Sequence, residues 1–181
     1  AQNVADNAAK KNINLTFSSL KSTFSKVGFL IFNMAAVYFL EYTCTTCYAD
    51  RITNQLKQRN PELVDTYLYQ NLYTMFALSY QIGVFISRSS LAVVQIKRVE
   101  ILTIIQSFNF LFWLLNTIFL FLTNLYALFP LMIFVGLMGG ASYVNVMYQM
   151  LESPKLSRNE RELAVTVTSM CTDAAILTAS V

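Results

Sequence analysis

Histidine is absent from all 181 residues. That removes imidazole ligands for zinc or haem, Ser-His-Asp and Cys-His nucleophile arrangements, and any histidine general base. Charge is scarce as well. Only 13% of residues are charged while 55% are hydrophobic, with a mean hydropathy of +0.47; a soluble domain usually carries about 25% charged residues. Five Gly and three Pro among 14 Phe and 10 Tyr exclude collagen-like, low-complexity and disordered sequence. Cys44, Cys47 and Cys171 are too few for a secreted disulfide framework. The Cys44-Thr45-Thr46-Cys47 spacing has no second CxxC and no histidine to complete a metal site. Neither a metal nor a cofactor is expected, and nothing pairs a basic stripe with exposed aromatics as a nucleic-acid site would.

What remains is long apolar sequence. A bilayer core about 30 Å thick takes roughly 20 mostly apolar residues per helix, and five stretches supply them: residues 27–48, 66–86, 99–122, 126–150 and 162–181. The expected fold is therefore an all-α multi-pass membrane protein with about five transmembrane helices, a helical half-bundle over 27–181. Residues 1–26 form a basic segment ahead of it. Within that segment Leu15, Phe17, Leu20 and Phe24 alternate with Ser and Lys, the pattern of a short helix lying in the membrane interface. The polar start from Ala1 to Asn14 lacks the apolar core of a secretory signal. The chain reads as a piece of a longer protein.

Orientation follows from the basic residues, which accumulate on the cytosolic side of span ends. Lys10, Lys11, Lys21, Lys26, Arg88, Lys97, Arg98, Lys155, Arg158 and Arg161 gather on one side, and only Arg51, Lys57 and Arg59 on the other. The N-terminal segment and the loops 87–98 and 151–161 are thus expected in the cytosol. The net charge of +3 is an orientation signal.

Helices surrounded only by lipid are apolar all round, yet three of these carry polar stripes at helical spacing. Gln70, Asn71, Tyr73, Thr74, Tyr80 and Gln81 mark the second span; Thr103, Gln106, Asn109, Trp113 and Asn116 the third; Thr166, Ser169, Asp173 and Ser180 the fifth. Such faces are expected to point inward. They serve either helix-to-helix hydrogen bonds, worth about 0.6 kcal/mol each, or a hydrated cavity for a polar solute. Two carboxylates, Glu41 and Asp173, sit well inside spans, where an acidic residue costs roughly 2.5–3.5 kcal/mol and usually marks an ion or solute path. A neutral carboxyl bonded to a neighbouring helix is the other reading of each. Gly136 and Gly140 form a GxxxG spacing, for which close helix packing is expected.

Three stretches carry a resemblance: Tyr80 to Ser90, YQIGVFISRSS; Gly136 to Asn145, GLMGGASYVN; and Asn159 to Asp173, NERELAVTVTSMCTD. Val37 to Tyr42, VYFLEY, and Gln106 with Asn109 add to it. In this order they resemble the C-terminal half of the battenin family, the membrane proteins of neuronal ceroid lipofuscinosis. The resemblance implies a major-facilitator-like helical bundle of which this sequence is the second half, the N-terminal half of the same chain being its partner. It also implies a lysosomal, late-endosomal or vacuolar membrane, and a link to organelle pH, basic amino acids and export of glycerophosphodiesters. Glu41, Arg88, Gln106, Asn145, Arg161 and Asp173 match family positions. Two departures bear on the cavity lining: Thr45-Thr46 replaces the family's Asn-Gln, and Val135 stands where an acidic residue is expected.

The leading expectation is half of a transporter working by alternating access, with the lipid bilayer, a small polar solute and protons as partners. Glu41, Gln81, Gln106, Asn109, Asn145 and Asp173 are the candidate pathway residues, with Arg88 and Arg161 as cytosolic gate or packing residues. A non-transporting organelle-membrane scaffold is the alternative, and an intramembrane enzyme a distant third, for want of a histidine or a close acidic pair. Orientation gives the first testable outcome. Asn14-Leu15-Thr16 is a glycosylation sequon, and on the cytosolic side it stays unmodified in cells. An endoglycosidase-sensitive glycan on Asn14 reverses the topology.

Overall fold

The computed structural model describes the backbone of residues 2–92 and 94–180, and the side chains of 21–91 and 94–180. The described residues form helices and short connections, with no strand among them. Helix α1 spans Gln2–Tyr42, followed without a break by a π-helical turn, Thr43–Tyr48, and by α2, Ala49–Arg59. After a 3-10 turn at Pro61–Leu63 come α3, Tyr67–Gln70; α4, Leu72–Ser89; α5, Val99–Phe119; α6, Leu125–Leu151; and α7, Arg158–Ala179. The expected interfacial helix is continuous with the first span, although the side chains of Asn14 and of Leu15, Phe17 and Leu20 lie outside the described residues.

Three stretches are long and apolar enough to cross a membrane: Lys21–Arg59, Val99–Phe119 and Leu125–Leu151. Helices α4 and α7 complete the expected five elements but miss that apolarity, α7 because it carries Arg158, Glu160, Arg161, Glu162 and Asp173. The first span also overruns its expected end at Tyr48. Ala49, Ile52, Thr53 and Leu56 recur at helical spacing and are buried, so the chain stays helical until Asn60 and Pro61. The π turn has a local cause. Wider turns leave carbonyls short of partners, and the hydroxyls of Thr45 and Thr46 both donate to Tyr42 O while Thr43 donates to Phe39 O.

Helices α1 and α6 form the centre. Helix α4 packs on α6, α7 packs on α1, and α5 lies against both central helices. The α4–α6 contact is the tightest. A Cβ built on Gly83 would strike the Ile133 backbone, one on Gly136 the Tyr80 backbone, and one on Gly140 the Ser87 side chain and Val84 backbone. The GxxxG spacing is thus seated in a helix interface. Pairing of these small residues lets dispersion contacts between backbones replace the hydrophobic drive that lipid does not supply.

Connections are held by side-chain amides. Asn116 accepts from Leu122 N at 2.8 Å and donates to Leu122 O at 3.2 Å, closing the turn where Leu120 adopts a left-handed conformation at φ 45°. Asn145 accepts from Ile96 N at 2.6 Å, and Gln149 donates to Ile96 O and Lys97 O at 3.1 Å. The loop before α5 is therefore pinned to α6. At α7, Ser157 and Glu160 form a capping box, and Glu160 also takes a 2.6 Å ion pair from Lys26. The Lys26 ammonium, then the Ser157 bonds, hold the Glu160 carboxyl down at about 2. This tie between α1 and α7 is complete above the ordinary carboxyl range and is lost only as pH falls through that value.

Two outcomes follow. Gly140→Leu forces α4 and α6 apart and costs at least about 1–3 kcal/mol, so folded, detergent-stable protein falls on size-exclusion and thermal assays. Gly28→Ala, whose Cβ meets only the Phe24 ring at 3.4 Å, serves as the neutral control; normal stability of Gly140→Leu means that face is not an interface. Asn145→Ala strips the half-buried Ile96 N–H of its acceptor at a cost of about 1 kcal/mol, that of one lost hydrogen bond. Proteolysis between Leu91 and Arg98 then accelerates, and an unchanged rate refutes the clasp.

Candidate functional site

The polar stripes divide. On α5, Gln106, Asn109, Trp113 and Asn116 are buried, as expected. On α3, α4 and α7 most stripe residues do not point into this half-bundle: Gln70, Tyr73, Thr74 and Gln81, and Thr166, Ser169, Asp173 and Ser180, are exposed, while Tyr80 turns inward. The reason is packing. Helix α4 spends Phe76, Ser79, Gly83 and Ser87 on its buried side, and α7 spends Ala164, Thr168, Thr172 and Ala179, one residue every three, four or seven positions. The polar face of each is left on the opposite side.

Between those two flanking helices lies a cleft of about 220 Å³, floored by α1 and α6. Its lining joins four helices: Tyr38 and Met34 from α1, Arg88 from α4, Tyr143 from α6, and Ser169, Thr172 and Asp173 with Ile176 from α7. The Arg88 guanidinium sits 4.6 Å from the Tyr143 ring centroid and donates to the Tyr38 hydroxyl at 3.3 Å. Stacking on an aromatic face attracts a cation and fixes its plane. Among the described residues neither Arg88 nor Asp173 forms an ion pair, so one cation and one anion share the cleft unpaired. Thr172 is committed to Thr168 O.

Depth can be counted along the helices. Twelve residues separate Lys26 from Tyr38, and twelve separate Arg161 from Asp173; at 1.5 Å per residue each is ~18 Å from the basic end. Half of a hydrocarbon core is about 15 Å. Tyr38 and Asp173 thus lie well inside their helices, while Arg88 enters the cleft from the basic end of α4.

Glu41 follows Tyr38 by three residues and so shares its side of α1. It is 1% exposed, and its carboxylate occupies the hollow left by Gly139, where a Cβ would overlap it. Neither oxygen has a hydrogen-bond partner. The Tyr80 hydroxyl lies beside it but outside hydrogen-bond geometry. Cys44, one turn further on, is buried and free. Among the described residues no group of His, Cys, Asp or Glu is placed to hold a metal ion.

Of the residues singled out in the sequence, Asp173 and Arg88 thus line the cleft, and Glu41 lies near it. Gln106 and Asn109 form a separate buried pair, with Asn109 Nδ2 at 3.5 Å from Gln106 Oε1. Asn145 pins a loop, Gln81 is exposed, and Arg161 donates to Ser153 O at 3.0 Å. Sequence reasoning missed Tyr38 and Tyr143 as lining residues. Their signal was present: Tyr38 precedes Glu41 by one helical turn, and Tyr143 follows Gly136 and Gly140 by seven and three positions.

The family described as CLN3 protein matches residues 1–181. Battenin of Dictyostelium discoideum is 39% identical over 139 residues, 77% of this chain and 32% of its own length. Protein btn1 of Schizosaccharomyces pombe is 34% identical over 168 residues, 90% of this chain and 40% of its own. Battenin of Canis lupus familiaris is 31% identical over 152 residues, 84% and 32% respectively. The chain thus spans about a third to two fifths of the length of the curated relatives it matches. No solved structure matches it. With the whole sequence matched by one family and these identities over most of it, the chain belongs to the CLN3, or battenin, family of multi-pass helical membrane proteins of the lysosome or vacuole.

Proposed function

We propose that this half-bundle forms one side of a solute pathway in a transporter that works by alternating access, moving a small polar solute across a lysosomal, late-endosomal or vacuolar membrane. The observation that carries this reading is the cleft holding an unpaired Arg88 and an unpaired Asp173. Solute sites of such folds lie near the bilayer midplane between two helical bundles, and intramembrane charges without structural partners usually belong to solute or ion paths. The exposed stripes on α4 and α7 flank the same opening, so a second bundle covering them would enclose it. The N-terminal half of the full-length protein is the partner this reading requires. Export of glycerophosphodiesters or basic amino acids, and through it organelle pH, is the activity proposed for the whole protein.

A specific observation supports a second reading, a scaffold without transport. Most of the α5 stripe is occupied by protein contacts: Asn109 with Gln106, Thr103 with Asn33 at 2.7 Å, and Asn116 with Leu122, while Gln106 Nε2 and Trp113 Nε1 are buried without a partner among the described residues. If the α4 and α7 stripes are closed in the same way by the rest of the protein, no pathway remains. The two readings part at the carboxylates. With full-length protein in sealed vesicles, Glu41→Gln and Asp173→Asn keep shape and most hydrogen bonds while removing a titrating group. In a proton-coupled transporter, at least one of them leaves abundance and targeting intact and abolishes dependence of solute flux on the pH gradient. Proton-coupled flux unchanged in the double variant removes both from coupling, and absence of any flux in the wild-type protein across the candidate solutes favours the scaffold.

A further inference from the structure

We propose that the groove between the end of α6 and the first turns of α7 holds an anionic phospholipid, its phosphate on Arg158 and Arg161 and an acyl chain along Leu151 and Val165. The groove encloses about 480 Å³ and is lined by Leu151, Arg158, Arg161, Glu162, Val165 and Thr166. It exists because α6 and α7 touch sparsely, each packing on α1 or on other neighbours instead. One end is cationic and the other apolar, the division a phospholipid itself has.

Arg161 is held at the groove by its own contact: its Nη2 donates to Ser153 O at 3.0 Å. A guanidinium fixed in this way suits a phosphate oxygen. Arg158 is exposed at the same groove, with Lys155 also exposed in the preceding loop. Glu160, the acid between the two arginines, is neutralised by Lys26 and does not compete for them. Glu162 on the rim disfavours a bare multivalent anion, yet it can accept from the hydroxyl or ammonium groups carried beyond the phosphate by inositol and serine headgroups. Basic pockets between membrane helices at the positively charged side bind headgroups of this kind. The groove shares no lining residue with the Arg88 cleft.

The test uses full-length protein in nanodiscs containing phosphatidylserine and phosphatidylcholine, with retained lipid counted by native mass spectrometry. Wild-type protein is expected to retain phosphatidylserine preferentially, and Arg158→Gln to lower that preference about fivefold, the effect of one basic residue near a lipid surface. Leu151→Gln lowers retention by removing the apolar wall, whereas Lys57→Gln, on α2 at the opposite end, changes nothing. Millimolar inorganic phosphate does not displace the lipid. The proposal is overturned if Arg158→Gln and Lys57→Gln retain lipid alike. It is equally overturned if inorganic phosphate displaces the lipid while Leu151→Gln has no effect, which identifies a free-anion site. Thermal unfolding of each variant in phosphatidylcholine alone separates lipid loss from loss of fold.

Discussion

The close backbone approach of α4 and α6 governs the rest of the half-bundle. Gly83 on one helix and Gly136 and Gly140 on the other each sit where a Cβ would meet backbone or a buried side chain. Because lipid offers helices no hydrophobic preference for one another, this fit fixes the position of α4 more firmly than its apolar residues do. Arg88 then falls over the Tyr143 ring at the far end of the same interface. Gly139, on the neighbouring face of α6, leaves the hollow that Glu41 fills from α1. A single run of small residues therefore sets both a helix contact and the positions of two ionisable groups.

Much of this was legible in the sequence and some was not. The apolar runs 99–122 and 126–150 overlap α5, Val99–Phe119, and α6, Leu125–Leu151, because nothing but helix satisfies a backbone inside lipid. The first span was cut short. Apolarity stops near Tyr48 but helical amphipathicity does not, and Ile52 and Leu56 carry the helix on to Arg59. The π turn was invisible to periodicity; only three threonine hydroxyls bonding back to Phe39 and Tyr42 carbonyls reveal why it is tolerated. Periodicity identified polar faces on α4, α5 and α7 but not their direction. A stripe at helical spacing shows that residues share a side, while the partner of that side depends on which other face holds the glycine and alanine contacts.

Polar groups in the described residues consequently fall into two populations. Asn33, Thr103, Asn109 and Asn116, together with Asn145 and Gln149, have protein partners and hold helices and loops in place, whereas Gln106 is partnered through its carbonyl oxygen alone. Gln106 was a pathway candidate on sequence grounds, yet its carbonyl oxygen faces Asn109 within the bundle. Arg88 and Asp173 lack ion-pair partners at the opening between α4 and α7. The difference is one of location in the packing order: α5 is closed off by both central helices, whereas α4 and α7 flank the cleft with few contacts to each other.

Glu41 belongs to neither population, and its position gives the proposed pathway a physical means of coupling. It is buried among α1, α6 and Tyr80 of α4, one turn from the tyrosine that receives the Arg88 hydrogen bond. With Glu41 neutral, Arg88 and Asp173 balance and the neighbourhood carries no net charge; with Glu41 ionised, it carries one negative charge. Charges in a medium of reduced dielectric interact more strongly than in water, so gain or loss of that proton alters how strongly Arg88 is held toward α1. In the pathway proposed, a solute group competing for Arg88 would meet a different opponent in each state. By linkage, its binding would then shift the protonation of Glu41 by an equal free energy.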